Sequence, residues 1–361
     1  MMPLTAMPTA LDPAPTLLPA RGDMERAYLS SDASYDGLFY LCVRTTGIFC
    51  RPSCPARKPR PEHVEFVARP ADAIAEGYRA CLRCRPLEHG ETPAWLGPLL
   101  ARIETRPDAR LRDEDLRGLG VEPSRVRRYF TSRYGLTFQA YCRARRLARA
   151  FERVRSGQGL DDAVFDAGYQ SHSGFREAFR KTFGAPPGQA SGARCVRLDW
   201  IDTPLGTMVA GASDGGVCLL EFADGRPIEA QLAGLRRRVD APLLPAPHPH
   251  LTALTRELTE YFAATRRTFT VPVDAPGTAF EERVWAELGR IPYGETRSYA
   301  EIAKAVGRPA GMRAVGLANG RNRVAIVIPC HRVVNKSGEL GGYGGGLWRK
   351  RQLLQLERTA R

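Results

Sequence analysis

Four cysteines in two close pairs constrain the fold of the first quarter of this chain more than any other feature. Cys50 and Cys54 lie in FCRPSC, and Cys81 and Cys84 lie in CLRC, with 26 residues between the pairs. Four thiolates match the tetrahedral, all-sulfur preference of structural zinc. Residues 24–90 are too few to rely on a hydrophobic core alone, so we expect one Zn²⁺ to contribute folding free energy. The alternative is four unrelated core cysteines.

Length and charge indicate several domains and a polyanionic partner. At 361 residues the chain exceeds the size at which a single hydrophobic core stops growing, and its formal net charge is +14. Residues 92–197 hold 20 Lys and Arg against 11 Asp and Glu. This middle segment is therefore the first candidate for contact with nucleic-acid phosphates.

No segment predicts export or membrane insertion. Residues 1–22 lack a basic stretch before their apolar residues and are interrupted by prolines, so we expect a disordered arm. No apolar run approaches the roughly 20 residues of a membrane helix. Nine cysteines without an export signal indicate a reducing compartment, and we expect a cytoplasmic, nucleoid-associated bacterial protein. Four cysteines are expected to be small core residues: Cys42, Cys142, Cys195 and Cys218.

The cysteine-bearing segment also carries a resemblance. RTTGIFCRPSCPAR followed by GYRACLRCRP closely resembles the N-terminal domain of the Ada family of adaptive-response proteins. The resemblance implies that Cys50 accepts a methyl group from a methylated DNA phosphotriester while it is bound to zinc. The transfer would remove one negative charge and so reduce repulsion between this site and DNA phosphates. Three nearby arginines are predicted to contact DNA: Arg51, Arg57 and Arg83.

Residues 92–192 contain two amphipathic helix pairs. LRDEDLRGLGVEPSRVRRYF and LDDAVFDAGYQSHSGFREAFRKTFG each have an apolar seam and a basic exterior, and the arginine-rich helix YCRARRLARAFERVR lies between them. Two copies joined by a long helix and followed by FGAPPGQ resemble the AraC-type DNA-binding domain. Solvated arginines on ordinary amphipathic pairs are the alternative. Four arginines are predicted to bind DNA: Arg125, Arg128, Arg176 and Arg180.

Alternation of apolar and polar residues resumes in residues 193–275. TMVAGASDGGVCLLEF predicts a hairpin closed at Asp214-Gly215-Gly216. The proline-rich residues 241–250 are expected to form a surface loop before a helix near 251–264. This segment is therefore predicted to be an α+β domain.

A thiol and an imidazole follow an apolar run near the C terminus, in VAIVIPCHRVV. Residues 324–328 are rich in β-branched side chains, which is typical of a strand buried on both faces, and Pro329 would end that strand. Cys330 would then lie at a strand end in a cleft, and His331 could act as its base. A cysteine protease or a buried core thiol would be the alternatives.

The block from PGTAFEERVWAELG to LLQLE strongly resembles O6-alkylguanine-DNA alkyltransferases over about 85 residues. The resemblance implies that Cys330 takes the alkyl group from O6-methylguanine and O4-methylthymine, once per protein molecule. His331 would act as a base through water, and Glu357 would orient His331. Asn322 would hold the active-site turn.

The same resemblance implies a DNA-binding face and a base pocket. Tyr299 would donate a proton to the departing guanine, and Arg313 would enter the base stack as the nucleotide is flipped out. The guanine pocket would be lined by Val333, Tyr343 and Gly344.

We therefore predict a multidomain α/β protein. Its parts would be a disordered arm (1–22), a four-cysteine zinc domain (23–91), an all-α AraC-type double helix-turn-helix domain (92–192), an α+β ribonuclease H-like domain (193–275) and a winged-helix-like alkyltransferase domain (276–361). It would repair alkylated DNA and activate transcription, as a monomer that binds double-stranded DNA and RNA polymerase. The alternative is a regulator that senses metal or oxidation, with an inactive alkyltransferase half.

Overall fold

The structure is a computed structural model in which the chain forms two compact units, Met1–Thr92 and Pro93–Arg361. The described residues are 18–88, 93–106, 111–134, 136–156, 164, 169, 171–183, 186–187, 194–223, 228–239 and 241–359. Among them no helix is both long enough and apolar enough to cross a membrane. The boundaries of the four predicted domains stay a prediction.

The first unit is built on a small mixed sheet with strand order β3-β1-β2-β4. Its elements are α1 (Arg21–Leu29), β1 (Tyr40–Val43), β2 (Ile48–Cys50), β3 (Val64–Val67), α2 (Pro70–Ala75) and β4 (Arg79–Ala80). Alternation along β1 sends Leu41 to the cysteine side and Cys42 to the face that packs on α2. The predicted arm is too long by two residues, because α1 begins at Arg21, while residues 1–17 lie outside the described part.

Helices make up the described part of residues 93–183. They are α3 (Leu96–Thr105), α4 (Asp113–Gly118), α5 (Pro123–Tyr134), α6 (Phe138–Arg155) and α7 (His172–Phe183). The first half of α6 packs with α5 around Phe130, and its second half packs with α7 around Phe175 and Phe179. The first helix of the second predicted pair lies largely outside the described residues.

Two residues of the first helix pair differ from expectation. The apolar spacing of the first pair places Leu119 in the seam, but Leu119 is 42% exposed, because α4 ends one residue earlier. Arg133, which follows the first pair's quoted stretch, is predicted on its basic exterior, but it turns inward and its guanidinium pairs with Asp202 at 2.6 Å. The exposed arginine surface is therefore smaller than the sequence suggests.

A second four-stranded sheet follows, with strand order β7-β6-β5-β8. Its elements are β5 (Val196–Thr203), β6 (Gly206–Ser213), β7 (Gly216–Phe222), α8 (Ile228–Val239), β8 (Leu243–Pro245) and α9 (Pro249–Phe262). The hairpin turn at Asp214-Gly215 is confirmed by the pairing of Ser213 with Gly216. The predicted surface loop 241–250 is wrong in part, because β8 pairs with β5 as an edge strand, a position that tolerates proline.

The C-terminal region packs short helices against that sheet. The elements are α10 (Ala279–Gly289), β9 (Arg297–Ser298), α11 (Tyr299–Ala305), α12 (Met312–Gly320), β10 (Val333–Val334) and α13 (Leu347–Thr359). Capping boxes at Thr278 and Ser298 fix the starts of α10 and α11. One continuous core joins these helices to β6 and β7 and includes Cys330.

The predicted buried strand at residues 324–328 is wrong. The segment folds into a tight turn. Ala325 and Ile328 form an isolated β-bridge across it, and Ile326 has a φ angle of +71°. The Asn322 side chain explains the turn: its Oδ1 accepts from the Val324 N–H and its Nδ2 donates to the Ile328 carbonyl, both at 2.9 Å. These bonds close the turn, and the segment meets β7 in an isolated bridge, in which the Ala325 N–H donates to the Leu220 carbonyl at 2.8 Å.

Candidate metal centre and candidate active site

The four predicted zinc ligands come together at one end of the first sheet. Because β2 and β4 are parallel neighbours, with Phe49 beside Ala80, their carboxyl ends bring Cys50 next to Cys81. The loops that follow each strand return Cys54 and Cys84 to the same place. All four sulfur atoms lie within 4.8 Å of one another, and all four residues are buried.

The donor set fits one Zn²⁺. The pKa of the Cys50 thiol is raised by its hydrogen bond with Cys84, by burial and by the neighbouring thiols. Sulfur atoms this close together resist carrying several negative charges. A cation bound by all four would remove that penalty. The surrounding backbone is already arranged, since the Arg51 N–H donates to Cys84 Sγ at 3.4 Å and Lys58 Nζ donates to the Cys54 carbonyl at 2.8 Å.

The three arginines predicted to contact DNA near this cluster differ in position. Arg57 and Arg83 are exposed. Arg51 is directed inward, with 13% of its side chain exposed, and its guanidinium binds Asp36 at 2.9 Å and the Cys84 carbonyl at 3.0 Å. In this structure Arg51 therefore braces the cluster from inside instead of presenting a charge at the surface.

Cys330 begins a single 3₁₀ turn, Cys330–Arg332, immediately after the Asn322-held turn. It is 5% exposed, and burial raises the pKa of its thiol to about 11, although the Asn322 amide and the charge on Lys350 act in the opposite direction. Lys350 is itself buried, which lowers its pKa to about 8, and its Nζ donates to the Val333 and Gly341 carbonyls at 2.5 and 3.1 Å. The thiol thus needs a base to become nucleophilic.

His331 is bound to a fully buried carboxylate. Its Nε2 donates to Glu357 Oε1 at 2.8 Å, and neither side chain is exposed. Burial lowers the pKa of His331, so the ring is neutral at pH 7. A neutral ring that donates through Nε2 has its lone pair on Nδ1, and Nδ1 has no partner within the described part of the chain. His331 is therefore in the form that can accept a proton.

Glu357 is the centre of a larger network. Arg332 donates to both carboxylate oxygens, at 2.8 and 2.9 Å, the Tyr261 hydroxyl donates at 2.7 Å and the Gly294 N–H at 3.2 Å. Burial alone would raise the pKa of Glu357, but the bonds from His331 and Arg332 hold it well below its usual range. The carboxylate is charged and fixed in place.

A cleft with about 420 Å³ of open space lies against Cys330. Its wall includes Asn322, Tyr343 and Gly344, three of the residues assigned by the sequence. Tyr299 lies at the Gly-rich loop 341–346, so close that a Cβ on Gly341 would be 2.8 Å from its hydroxyl. Burial, and then the nearby Cys330 sulfur, raise the pKa of Tyr299, which therefore keeps its proton at neutral pH.

Comparison with known proteins follows the same division of the chain. Three family descriptions match: the metal binding domain of Ada at residues 23–87, a helix-turn-helix domain at 116–192, and the DNA binding domain of 6-O-methylguanine DNA methyltransferase at 279–359. The bifunctional transcriptional activator/DNA repair enzyme Ada of Escherichia coli (strain K12) is 33% identical, over 92% of this chain and 95% of that protein. The chain belongs to the Ada family.

Two further similar proteins are a second Ada relative and a protein of solved structure. The regulatory protein ada of Salmonella typhimurium (strain LT2) is 32% identical, over 90% of this chain and 93% of that protein. The crystal structure of Mycobacterium tuberculosis O6-methylguanine methyltransferase is 40% identical and covers 46% of this chain and 94% of that one, with a TM-score of 0.40. The two Ada relatives therefore span nearly the whole chain.

The remaining predicted DNA-binding residues of this Ada-family chain lie on helix surfaces. Arg313 is exposed near the start of α12, beside Met312, which is 50% exposed. The four arginines predicted on the middle domain are also exposed, and they are Arg125 and Arg128 on α5 and Arg176 and Arg180 on α7. Their positions are compatible with a nucleic-acid surface, and their roles stay predictions.

Sequence reasoning missed several residues of the Cys330 site. Tyr261 reaches Glu357 from α9, 96 positions away, and carries no local motif. Arg349 is 2% exposed and ties the Gly-rich loop to the turn between β5 and β6, since its guanidinium donates to the Leu205 and Gly345 carbonyls at 2.7 and 3.1 Å. Charged side chains are usually exposed, so the burial of Arg349 and Lys350 is not expected from their residue types. Only their positions among the apolar residues of α13 could have indicated it.

Proposed function

We propose that this Ada-family protein repairs alkylated DNA by irreversible transfer of methyl groups to Cys50 and Cys330, and activates transcription of an alkylation response through its middle domain. The observation that carries the proposal is that the buried Cys330 thiol lies at a cleft and is followed by His331, a neutral imidazole held by the Glu357 carboxylate, on the same chain as a four-sulfur cluster. The metal-sensing regulator explains the cluster but leaves this buried network without a use.

Base repair at Cys330 is a displacement at carbon. His331 takes the thiol proton through a water molecule, and the Cys330 sulfur attacks the methyl carbon of O6-methylguanine or O4-methylthymine. The S–C bond forms as the C–O bond breaks, and the electron pair stays on the base oxygen. Tyr299 donates a proton to the departing guanine. The product is a thioether with no acidic proton, so each protein molecule acts once.

The other assigned residues position the base. Arg313 occupies the gap in the duplex when the nucleotide is flipped out. Val333, Tyr343 and Gly344 line the guanine pocket, and Lys350 supports it by binding the Val333 and Gly341 carbonyls. Asn322 keeps Cys330 at the mouth of the turn.

Phosphotriester repair takes place at Cys50. Zn²⁺ held by Cys50, Cys54, Cys81 and Cys84 would keep the sulfurs ionised and electron-rich. The Cys50 sulfur attacks the methyl carbon, the C–O bond breaks, and the oxygen remains on the DNA as an ordinary phosphodiester. The cluster loses one negative charge, so its repulsion from phosphates falls and DNA affinity rises. Arg57 and Arg83 are exposed for phosphate contact, whereas Arg51 supports the cluster through Asp36 and the Cys84 carbonyl.

The finer architecture and the partners belong to the same proposal. The domains run over 23–91, 92–192, 193–275 and 276–361, the third ribonuclease H-like and the fourth winged-helix-like. The protein is a cytoplasmic, nucleoid-associated monomer that binds promoter DNA through Arg125, Arg128, Arg176 and Arg180 and contacts RNA polymerase. DNA-binding domains match two parts of the chain, which supports DNA as the central partner.

Peptide mass mapping tests both transfers at once. Zinc-loaded protein is incubated with DNA that carries methyl phosphotriesters and O6-methylguanine, and with unmethylated DNA as the control. One methyl on Cys50 and one on Cys330, each only with methylated DNA, is the expected result. If both cysteines stay unmodified while zinc remains bound, the repair function is wrong and the metal-sensing regulator replaces it.

A further inference from the structure

The wall of the cleft at Cys330 is partly polar. Phe222, Ala325 and Tyr343 contribute apolar surface, whereas Asn319, Asn322 and Glu221 contribute amide and carboxylate groups. The carbon that Cys330 attacks must lie within bonding reach of the sulfur. Any atoms of the substituent beyond that carbon must therefore enter the space beside Cys330. The polarity of this wall consequently bears on which substituents fit.

The polar groups of the wall differ in how much of their hydrogen-bonding capacity is already taken up within the protein. Asn322 spends both ends of its amide on the turn, on the Val324 N–H and the Ile328 carbonyl. The Glu221 carboxylate pairs with Arg323 at 3.3 Å, and each side chain is 14% exposed. These two groups therefore have little capacity left for a ligand.

Asn319 is different. It lies on the buried side of α12 and is 4% exposed, and its Oδ1 has no hydrogen-bond partner among the residues that the structure describes. A buried acceptor without a partner is unfavourable unless water or a ligand supplies a donor. A hydroxyl group suits this position, because it donates to a carbonyl oxygen and also accepts from an amide N–H.

We propose that Asn319 is a specificity-determining residue of the Cys330 site and that it favours O6 substituents that end in a hydroxyl group, such as 2-hydroxyethyl, over apolar substituents of equal size. The inference deepens the proposed base repair and rests on it. The reaction is unchanged: the S–C bond forms at the carbon attached to O6, the C–O6 bond breaks with its electron pair on oxygen, and the hydroxyl stays intact on the thioether.

The test compares two substituents with the same number of heavy atoms. Single-turnover rates of transfer to Cys330 are measured with duplexes that carry O6-(2-hydroxyethyl)guanine or O6-propylguanine, and the ratio of the two rates is taken for each protein. The proteins are the wild type, Asn319→Leu, which keeps the size but loses the polar group, and Asn319→Ser, which keeps a hydroxyl. Using a ratio removes any general effect of a substitution on folding or on DNA binding.

One hydrogen bond corresponds to a change of roughly fivefold in this ratio. We expect the hydroxyethyl/propyl ratio to fall about fivefold in Asn319→Leu and to fall less in Asn319→Ser. An equal ratio in all three proteins would overturn the role of Asn319. O6-methylguanine duplexes separate this failure from that of the parent proposal: if the wild type removes no methyl group, base repair at Cys330 and the inference both fail.

Discussion

At the scale of single residues, the Cys330 site contains buried charged side chains, and each of them is stabilised by hydrogen-bonding partners. Glu357 accepts hydrogen bonds from His331, Arg332, Tyr261 and the Gly294 N–H. Removing one member of such a set leaves the others buried and unpaired, which costs more than the pair itself contributes. The orientation of the His331 imidazole and the stability of the fold therefore both depend on the Glu357 carboxylate.

Glu357→Gln is expected to lower the free energy of unfolding by about 3–5 kcal/mol, because the Arg332 guanidinium would lose its counter-charge. Urea unfolding followed by tryptophan fluorescence measures the change. Glu339→Gln is the matched control, since Glu339 is exposed, and it should change the free energy by less than about 0.5 kcal/mol. Equal effects of the two substitutions would show that the Glu357 network does not stabilise the fold.

The same carboxylate predicts a dependence on pH. Its pKa is lower in the folded protein than the ordinary value of 4.5, so its ionisation stabilises the fold above that pH, and the stabilisation is lost as pH falls below about 4.5. The difference in unfolding free energy between wild type and Glu357→Gln should therefore shrink in acid. Urea titrations at pH 7 and pH 4 measure it, and a constant difference would contradict the assignment.

Residue chemistry was partly predictable from sequence. Cys330 and His331 are adjacent, and the four thiols occur in two tight pairs, so local patterns identified them. Tyr261 and the buried pair Arg349 and Lys350 could not be found in this way, because their partners come from distant segments and burial of a charge follows from tertiary contacts alone.

At the scale of elements, the approach of α11 to the Gly-rich loop determines the shape of the pocket. Gly341 faces the Tyr299 ring and the Asn335 side chain, whereas its neighbour Gly342 has nothing within 4 Å of the position where a Cβ would lie. The two glycines therefore form a natural matched pair. One is required by close contact, and the other is not.

Gly341→Ala is expected to slow methyl transfer to Cys330 by roughly ten- to a hundredfold, because the added methyl would displace the Tyr299 hydroxyl. Single-turnover rates with O6-methylguanine duplexes measure the effect. Gly342→Ala should keep the wild-type rate within about twofold, as its methyl meets no atom. Similar rates for both variants would mean that the loop and Tyr299 do not shape the pocket.

The elements also show where pattern and structure diverge. The run 324–328 has the composition of a buried strand, yet the preceding Asn322 side chain binds the Val324 N–H and the Ile328 carbonyl and closes the run into a turn. The helices of residues 96–183 were easier to predict because their 3.6-residue periodicity reflects one buried face. In contrast, β8 was missed because two prolines mask an edge strand.

At the scale of the whole molecule, the two compact units depend on different sources of stability. The second has a continuous core that joins its sheet to the C-terminal helices. The first has two small clusters on either face of its sheet, and the four cysteines form part of one of them. Metal binding should therefore matter to the first unit far more than to the second.

Chelation of zinc from the full-length protein is expected to remove hydrogen-exchange protection from residues 18–88 and to abolish transfer to Cys50. Transfer to Cys330 in the same sample serves as the internal control and should persist. Re-addition of Zn²⁺ should restore both properties of the first unit. Unchanged exchange in residues 18–88 after complete metal removal would show that its cores suffice without the metal.

The length of helix α6 bears on the spacing of the proposed promoter contacts. Its two halves belong to separate cores, one with α5 and one with α7, and its 18 residues make a rod about 27 Å long that fixes the distance between these helices. Successive turns of B-DNA recur at about 34 Å along one side of the duplex. Because α6 is rigid, the protein would fix the spacing along the DNA between the two promoter elements that α5 and α7 contact. A flexible linker would leave that spacing variable. Operators for this protein should then be recognisable by spacing as much as by base identity.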